Sequence, residues 1–443
     1  MQSIKITIVV LFAFVTGLWL MADTFMPQPF GYFPWRHVMV QYSGVMAMTA
    51  MSAALILALR PRFLEGFLGG LDKMYRLHKW LGVTALAASA AHWIFAKGTK
   101  WAVGWGWLIK PPKGERPVYE GLEALLRTQR GLAETLGEWV FYVAMALVVL
   151  ALIKRFPYHL FAKTHKVLAA AYLILVFHGV ILMEFSYWSQ PVGVVMAVFM
   201  AAGGIAAVMA LTGYVGRKRE VHGRIKALSY YPEMRTLKTC IEIDPEWPGH
   251  DAGQFAFVTS NRREGAHPYT IASAWHPGTR EITFITKGLG DHTGQLHKKL
   301  AVGDAVTVEG PYGRFNFADG NRRQIWIGAG IGITPFLARL QDLARGKQGD
   351  YEIDLFHPVS TLAQEARQSL ERHAQAAGVR LHLMVGDQGG RLSGERLREL
   401  IPDWKSAGVW FCGPAGFGRA LREDLVAHGL RAGDFHQELF EMR

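Results

Sequence analysis

The sequence predicts a multi-domain protein in which a six-helix, all-α transmembrane bundle precedes an antiparallel β-barrel and an α/β domain with a parallel sheet. Three observations lead to this fold class. The first half of the 443 residues is a series of apolar stretches about 20 residues long. Short β-rich runs with Gly and Pro turns follow, and apolar strands then alternate with helical patterns. We therefore expect domains at 1–216, 217–320 and 321–443.

The first domain contains six apolar stretches, each long enough to cross about 30 Å of hydrocarbon and each bounded by charged, Pro or aromatic residues. They cover 4–22, 37–59, 76–96, 135–153, 160–183 and 190–213. The first stretch resembles a signal peptide, but no small-residue cleavage site precedes the following FGYFPW. We interpret it as a retained span, so the lipid bilayer is an expected partner.

Loop charges predict the orientation of these spans. An even number of spans puts both termini on one side, and basic residues cluster after the second, fourth and sixth spans. They are Arg60, Arg62, Lys73, Arg76, Lys79, Lys154, Arg155, Lys163, Arg217, Lys218 and Arg219. We therefore expect an inner (plasma) membrane protein with both termini in the cytoplasm. The loop 97–134 is then external, although it carries seven Lys and Arg residues against four Glu.

Net charge and cysteine content argue against two other classes. The formal charge of +12 is not accompanied by a basic helix or an aromatic-interleaved patch, so we expect no nucleic-acid partner. The two cysteines, Cys240 and Cys412, lie far apart in the second half. A disulfide framework is therefore not expected, and a reducing compartment fits this cysteine content.

Four histidines lie inside the predicted spans, where an ionisable residue usually has a function. The third span contains His78 and His92, and the fifth contains His165 and His178. Fourteen residues of helix advance about 21 Å, so each span has one histidine near each edge of the bilayer. If the two spans pack together, His78 faces His165 and His92 faces His178.

Two such bis-imidazole sites suit haem iron that transfers electrons, because no coordination position stays open. The thirteen-residue spacing in the fifth span leaves an angular offset of about 140°, which helix irregularity or differently placed haems must absorb. Interfacial or hydrogen-bonded core histidines are the simpler interpretation of any single one of them. Intramembrane zinc is a weaker alternative, because no Cys or carboxylate is placed to complete a tetrahedral site.

Two motifs in the β-rich segment are typical of a flavin site. HPYTIAS offers an aromatic ring and a hydroxyl at the end of a strand, and TKGLGDHTGQL is a glycine-rich turn that offers backbone N–H groups to a pyrophosphate. EGPYG follows at Glu309. Ordinary strand and turn chemistry explains each motif alone, but not their order. The candidate residues are His267, Pro268, Tyr269, Thr270, Ser273, Lys287, Gly288 and Thr293.

Two further motifs indicate a nucleotide site in the α/β segment. GAGIGITP follows a strand and opens a helix, with Thr334 as the expected N-cap and Pro335 in the first turn. FCGP ends a later strand, at the sheet edge where α/β proteins bind ligands. The candidate residues are Gly328, Gly330, Gly332, Thr334, Pro335, Cys412, Gly413 and Pro414.

Together these residues resemble the ferric reductase and NADPH oxidase superfamily over nearly the whole chain. The resemblance implies two b-type haems held by the four histidines, and a ferredoxin-NADP reductase-type module in which HPYTIAS and TKGLGDHTG bind FAD. It also implies that GAGIGITP binds the phosphates of NADPH or NADH and that FCGP flanks the nicotinamide. Three residues then have catalytic positions: Thr270 at the flavin, Cys412 at the nicotinamide, and Phe440 as an aromatic cover of the flavin ring.

The expected activity carries electrons from a nicotinamide nucleotide through FAD and two haems to an acceptor on the outer face. That acceptor is a ferric chelate, dioxygen or an unseen protein partner. NADPH and NADH both stay open, because FHPVST lacks the usual Arg or Ser-Arg for a 2′-phosphate. Two alternatives stay open as well: a haem-free transporter gated by a redox sensor, and a membrane-anchored flavin reductase.

Overall fold

The computed structural model describes residues 2–112, 118–153, 156, 158–261, 264–290, 292–346, 351–386 and 391–438. It divides into two compact units, which are described separately. The first contains Met1–Gly69 and Lys73–Val215, and the second contains Gly70–Asp72 and Gly216–Glu441. The first unit is helical and the second contains two β-sheets, as the sequence predicts.

The described part of the first unit contains six helices of 19 to 27 residues, each of which overlaps one of the apolar stretches. They are α1 (Gln2–Leu20), α2 (Tyr32–Ala58), α4 (Leu71–Trp93), α7 (Arg130–Leu152), α8 (Tyr158–Leu182) and α9 (Pro191–Leu211). Shorter helices are α3 (Arg62–Leu68), α5 (Thr99–Gly104) and α6 (Gly121–Thr128), and a π-helical turn at Ile94–Gly98 joins α4 to α5.

Four of these helices are long and apolar enough to cross a membrane: α2, α7, α9 and the part Lys163–Leu182 of α8. The apolar helix Ile4–Leu20 is shorter, and α4 carries charged residues in its first half. The first unit is therefore a membrane domain by length and composition. Its core combines Met side chains with small residues, and the hydroxyl of Tyr172 on α8 lies 2.7 Å from that of Ser52 on α2.

The first sheet of the second unit has six antiparallel strands in the order β4-β3-β6-β1-β2-β5. The strands are β1 (Glu220–Tyr231), β2 (Thr236–Ile243), β3 (Phe255–Thr259), β4 (His267–Thr270), β5 (Glu281–Lys287) and β6 (Ala305–Tyr312), and α10 (Leu296–Lys299) precedes β6. The two outer strands also approach each other, because Ile271, just after β4, forms an antiparallel bridge with Phe284 of β5.

The second sheet has five parallel strands in the order β11-β10-β7-β8-β9. They are β7 (Arg323–Gly328), β8 (Glu352–Val359), β9 (Arg380–Val385), β10 (Gly408–Cys412) and β11 (Phe435–Gln437), with helices α11 (Thr334–Ala344), α12 (Gln364–Ala376), α13 (Gly394–Leu400) and α14 (Ala415–Ala427). Side chains alternate along β7, so Trp326 joins one apolar cluster while Ile325 and Ile327 join another. Both faces of the sheet are therefore covered, as parallel sheets require.

The strand order reverses at β7, which has β8 on one side and β10 on the other. In open α/β sheets, ligands bind outside the carboxyl ends of the strands at such a switch point. The turn after β7 is GAGIGITP, and FCGP follows β10. The topology therefore places both predicted nucleotide motifs at the switch point.

At the amino ends of the strands, opposite the switch point, an ion cluster surrounds the buried carboxylate of Asp354. Asp354 Oδ2 lies 2.6 Å from the Arg323 guanidinium and 2.7 Å from that of Arg380, and its Oδ1 lies 2.6 Å from His382 Nε2. Burial alone would raise the pKa of Asp354, but hydrogen bonds from His382, Arg380 and Arg323 outweigh it and hold the pKa below its ordinary value. Removing one partner from a buried pair typically costs about 3–5 kcal/mol. This cluster therefore stabilises the amino ends of the strands, away from the predicted nucleotide motifs.

Candidate functional site

The four histidines predicted to lie inside the membrane form two pairs between α4 and α8. The ring centroids of His78 and His165 lie 5.8 Å apart, with an interplanar angle of 62°. Those of His92 and His178 lie 6.1 Å apart, with an angle of 79°. These are the pairs expected from the sequence, and the unequal spacings of fourteen and thirteen residues do not prevent them.

The separations fit two imidazoles that share one metal ion. Metal–nitrogen bonds of about 2 Å on opposite sides of an ion place two ring centroids about 6 Å apart. Among the described residues, neither pair has a third His, Cys, Asp or Glu close enough to form a ligand cluster. Two-ligand sites suit haem iron, whose porphyrin supplies the other ligands, better than tetrahedral zinc.

Backbone carbonyls orient three of these four rings. In each case the histidine Nδ1 lies 2.8 or 2.9 Å from a carbonyl oxygen of a neighbouring helix. The contacts are His78 to Ala54, His92 to Val40, and His178 to Ala133. A carbonyl oxygen only accepts hydrogen bonds, so Nδ1 carries the proton and Nε2 keeps a lone pair for a metal. This partner arrangement is usual for metal-binding histidines.

His165 is held differently. Its ring stacks on Phe161 of the same helix, with ring centroids 5.0 Å apart and an interplanar angle of 27°. Its Nδ1 is buried and has no hydrogen-bond partner among the described residues. The two pairs are therefore not equivalent, because one member of the His78 pair lacks a carbonyl that fixes its tautomer.

The structure brings the two flavin motifs together. HPYT forms β4, where Pro268 pairs with Phe257 of β3. The ring of His267 stacks on that of His292 from TKGLGDHTGQL, with centroids 4.0 Å apart and planes within 9°. His292 Nδ1 in turn lies 3.8 Å from a carboxylate oxygen of Glu264. His292 was not singled out from the sequence, since only the fold stacks it on His267.

Hydroxyl and ring groups of HPYTIAS lie where β4 approaches β5. The ring of Tyr269 is half-buried, with its centroid 6.2 Å from that of Phe284. Thr270 ends the strand and is buried. The Ser273 hydroxyl oxygen accepts a hydrogen bond from the N–H of Thr283 at 3.0 Å. Ser273 is thus part of the strand pairing, and its O–H can still donate to a ligand.

The glycine-rich turn after Lys287 differs from expectation in its hydrogen bonds. The N–H of Gly288 donates to the Arg235 carbonyl at 2.8 Å. The N–H groups of Leu289 and Gly290 donate to the Thr293 hydroxyl oxygen at 3.0 and 3.2 Å. The prediction that these amides are free was wrong, because Thr293 caps its own turn. Arg235, Gly288 and Thr293 line a shallow cleft.

The turn after β7 has the strand–turn–helix context predicted for a nucleotide site. Gly330 has φ +57°, a left-handed backbone conformation that costs free energy for residues other than glycine. The prediction that Thr334 is the N-cap was wrong: Ile333 holds that position, and the Thr334 hydroxyl donates to the Ile331 carbonyl at 3.1 Å. A short 3-10 turn before α11 causes this shift. Pro335 lies in the first turn, as expected.

Both nucleotide motifs meet through their backbones. The N–H of Ala329 donates to the Cys412 carbonyl at 2.9 Å. A Cβ atom on Gly332 would lie 2.1 Å from the same oxygen, so only glycine permits this approach. Burial raises the pKa of the Cys412 thiol well above its ordinary value, which makes it a neutral group and not a thiolate nucleophile. Gly413 follows, and Pro414 is the N-cap of α14.

Helix α11 connects the nucleotide turn to the flavin motif. The side-chain oxygen of Gln341 accepts a hydrogen bond from the N–H of Ala274, directly after HPYTIAS, at 3.1 Å. On the other side of the turn, buried His357 places Nδ1 2.6 Å from the Gly328 carbonyl. Sequence reasoning missed both contacts, because neither residue belongs to a glycine-rich motif. The third predicted catalytic residue, Phe440, lies outside the described residues.

The stacked His267–His292 pair predicts a pH-dependent stability. Burial, with repulsion from His292 as the second cause, lowers the pKa of His267 to about 4, although Glu264 opposes this shift. Burial also lowers the pKa of His292. In the unfolded chain these histidines bind protons below about pH 6.5, whereas in the native protein they stay neutral to lower pH. The free energy of unfolding therefore falls as the pH decreases from about 6.5 to 4. We expect the thermal midpoint of the flavin-free protein to fall across this window.

His267→Gln should flatten that pH dependence, because the replacement cannot titrate. Thermal midpoints of the full chain at several pH values between 6.5 and 4 measure the slope. Exposed His222 of β1 supplies a matched control, and His222→Gln should leave the slope unchanged. Equal slopes for the native protein and His267→Gln would contradict the prediction.

Comparison with known proteins independently supports a transmembrane role for the first unit. Residues 43–176 match the family model described as the ferric reductase like transmembrane component. This range includes three of the four paired histidines, and His178 lies two residues beyond its end. The matched region therefore contains α4 and most of α8, the two helices that carry the pairs.

Curated relatives are reductases and flavohaemoproteins. The chain is 33% identical over 192 residues to the ferredoxin–NAD(+) reductase component of an alkene monooxygenase system from Xanthobacter autotrophicus, covering 40% of this chain and 56% of the relative. It is 30% identical over 183 residues to a flavohemoprotein from Vibrio cholerae, covering 39% and 45%. The chain thus spans about half the length of the curated relatives it matches.

Among solved structures, the flavohem-like FAD/NAD-binding domain of nitric oxide dioxygenase from Vibrio cholerae matches with a TM-score of 0.43 and 18% identity. The match covers 50% of this chain and 98% of that domain. An NADPH oxidoreductase from Mycobacterium tuberculosis is 30% identical over 211 residues, covering 45% of this chain and 54% of the relative. The chain therefore has the ferric reductase and NADPH oxidase type of architecture, in which a ferric reductase-like transmembrane domain and an FAD/NAD reductase module share one polypeptide.

Proposed function

We propose that the protein is a transmembrane oxidoreductase that moves electrons from NADPH or NADH through FAD and two b-type haems to an acceptor on the outer face. The observation that carries this proposal is the pair of facing imidazoles at each of two levels of α4 and α8. Three of the four rings direct Nδ1 to a helix carbonyl, which leaves Nε2 for iron.

Within this proposal, His78 and His165 hold the inner haem, and His92 and His178 hold the outer haem. Haem iron held by two histidines would supply one-electron transfer, and the second histidine would exclude oxygen as a ligand. The protein side chains fix the ring orientations and exclude other ligands. The fourteen-residue spacing on α4 separates the two levels by about 21 Å of helix rise, so the two haems together span most of the bilayer.

The second unit would bind FAD between the two antiparallel edges that carry HPYTIAS and TKGLGDHTG. Bound FAD would accept the two electrons of one hydride and release them singly. The bridge between Ile271 and Phe284 supports closure of the six strands into a barrel at 217–320. Tyr269 and Thr270 offer a ring and a hydroxyl at this edge, and the Arg235 carbonyl accepts the N–H of Gly288 in the glycine-rich turn. The terminal domain, 321–443, would bind the nicotinamide nucleotide at Gly328–Gly332 and Cys412–Pro414.

Six spans with both termini in the cytoplasm of the inner membrane give electrons a route outward. The acceptor is a ferric chelate or dioxygen, with a protein partner as a third option. Many ferric chelates are anionic, so the cations of the predicted external loop 97–134 suggest that it attracts them. Ion pairs within the protein weaken this argument. Of the five loop cations that the structure describes, three are paired with carboxylates, namely Lys97 with Glu138, Arg127 with Glu123, and Arg130 with Glu134.

An anaerobic absorbance spectrum of the purified, haem-supplied protein tests this function. We expect a b-type spectrum with two haems per chain, reduced on addition of NADPH or NADH. His37→Ala serves as a matched control, because His37 pairs with Glu184 outside the two histidine pairs. It should keep both haems, whereas His78→Ala should lose haem. Folded, flavin-loaded protein without haem would overturn the proposal and leave a membrane-anchored flavin reductase or a redox-gated transporter.

A further inference from the structure

The three carbonyls that receive histidine Nδ1 groups share a feature of helix sequence. Each belongs to a residue inside a helix, where its oxygen also accepts the N–H of the residue four positions later. That later residue is Gly or Ala in all three cases. The three sets, carbonyl residue first, are Val40 and Gly44, Ala54 and Ala58, and Ala133 and Gly137.

Helix geometry explains why a small residue is needed there. Side chains on a helix lean towards its N-terminus, so each one covers the surface of the preceding turn. A larger side chain four positions after the carbonyl would cover the oxygen that the imidazole must reach. A helix carbonyl has a second lone pair for an outside donor, but only where that surface is bare.

Gly137 and Gly44 differ in how closely the imidazole approaches. A Cβ atom on Gly137 would lie 2.0 Å from His178 Nδ1, 2.5 Å from Cε1 and 2.8 Å from Cγ. A Cβ atom on Gly44 would lie 3.3 Å from His92 Nδ1 and 3.4 Å from its Cε1. The atoms in the way belong to the histidine ring in both cases. Each glycine therefore makes room for one member of the same outer pair.

The register of α2 and α4 repeats this arrangement at two levels. His78 and His92 are fourteen residues apart, and so are their acceptors Ala54 and Val40. As the acceptor number rises along α2, the histidine number falls along α4, so the two helices run antiparallel here. One face of α2 thus supplies both carbonyls. Glycine occurs at the outer level and alanine at the inner level.

We propose that Gly44 and Gly137 are positioning residues for the outer histidine pair, each baring the helix carbonyl that fixes the tautomer and ring plane of one histidine. The proposal rests on haem ligation by His92 and His178, as argued above. Through these carbonyls the Nδ1 protons are held on α2 and α7, so each Nε2 atom keeps its lone pair for a metal. Among the described residues, no glycine Cβ position lies closest to a ring of the inner pair, and His165 Nδ1 has no hydrogen-bond partner.

A double-mutant cycle on the haem-free full chain tests the positioning itself. Gly137→Ala should lower the thermal midpoint by several degrees, because the new methyl group displaces the His178 ring. In a His178→Ala background the same change should be neutral or slightly stabilising, since Ala favours helix over Gly. Gly131→Ala is the matched control in α7, where a Cβ atom meets open space. An equal loss in both backgrounds would overturn the proposal and reduce Gly137 to a general packing residue.

Haem-loaded protein gives the second readout. Gly137→Ala should reduce bound haem from two to one per chain, with the same haem lost as in His178→Ala. Gly44→Ala should keep two haems, with haem affinity at the outer site about 10–100-fold weaker, as is typical when a metal ligand loses its hydrogen-bond partner. Its electron paramagnetic resonance spectrum should show a changed outer signal and an unchanged inner signal.

Gly82→Ala in α4 supplies the control for this readout, because its Cβ atom also meets open space. Two haems with unchanged spectra in Gly137→Ala would overturn the positioning role. Absence of haem from the native protein would instead overturn the proposed function, and the cycle on haem-free protein would still decide the positioning role. The two failures are therefore distinguishable.

Discussion

His92→Ala should abolish reduction of external acceptors by NADPH or NADH while the inner haem is still reduced. The change removes one axial ligand of the proposed outer haem and leaves His78 and His165 untouched. Electrons would then reach the inner level of α4 and α8 and stop, because about 21 Å of helix rise separates the two levels. We expect the rate of external ferric chelate reduction to fall to that of haem-free protein.

Sealed vesicles with the nucleotide on one side and a membrane-impermeant ferric chelate on the other measure this loss. Haem content should fall from two to one per chain in the same preparation. His37→Ala is the control. His37 lies on α2, three residues before Val40, whose carbonyl contacts His92, but His37 itself is paired with Glu184 at 3.2 Å. Unchanged chelate reduction by His92→Ala would show that electrons leave without the outer pair.

His78→Ala should give a different pattern. The inner haem would be lost. Flavin would still be reduced by the nucleotide, but the remaining outer haem would stay oxidised, because electrons pass through the inner haem first in the proposed route. The contrast between the two variants therefore orders the two haems along the route.

The sequence was sufficient to predict the pairs because a histidine inside an apolar span is costly and rarely accidental. Two spans with two histidines each, at similar spacing, left few ways to combine them. The carbonyl partners could not be predicted in the same way. They depend on the register of α2 against α4 and of α7 against α8, which is decided by tertiary packing and not by a local sequence pattern. Gly44 and Gly137 therefore carried no recognisable signal.

In the second unit, local patterns predicted the strands and the positions of the turns but not all of their hydrogen bonds. GAGIGITP after β7 and FCGP after β10 followed from strand–turn–helix alternation. The N-cap of α11 was misplaced by one residue, because a 3-10 turn precedes the helix. The turn after Lys287 was expected to offer free amides, but a threonine three or four residues later accepts them. Such local competition between side chain and backbone is decided by small differences in loop conformation.

Gly332→Ala should abolish reduction of the flavin by NADPH and NADH. The added Cβ atom would lie 2.1 Å from the Cys412 carbonyl oxygen, 2.5 Å from its carbonyl carbon and 2.9 Å from the Gly413 nitrogen. All three atoms are backbone, so no change of rotamer relieves the clash. The turn must move away from the end of β10 and lose the hydrogen bond from Ala329 to Cys412.

Overpacking of this kind typically costs about 1–3 kcal/mol, and a displacement of about 1 Å at a catalytic site can lower the rate about 10²-fold. We therefore expect kcat/KM for the nucleotide to fall by at least about 10²-fold. FAD content should stay normal, because the flavin motifs lie on β4 and after β5. Dithionite should still reduce flavin and haems, which separates a nucleotide defect from general unfolding.

Gly416→Ala is the matched control for this prediction. Gly416 lies four residues after Cys412, in α14, and a Cβ atom on it meets open space. The same substitution type in the same part of the domain should leave nucleotide-driven reduction unchanged. If Gly332→Ala reduced flavin at the native rate, the contact between the two motifs would not be part of the nucleotide site. If both variants lost activity equally, general sensitivity of this domain would explain the result instead. Loss in Gly332→Ala alone would tie the nucleotide site to the approach of β7 and β10 at the point where the strand order reverses.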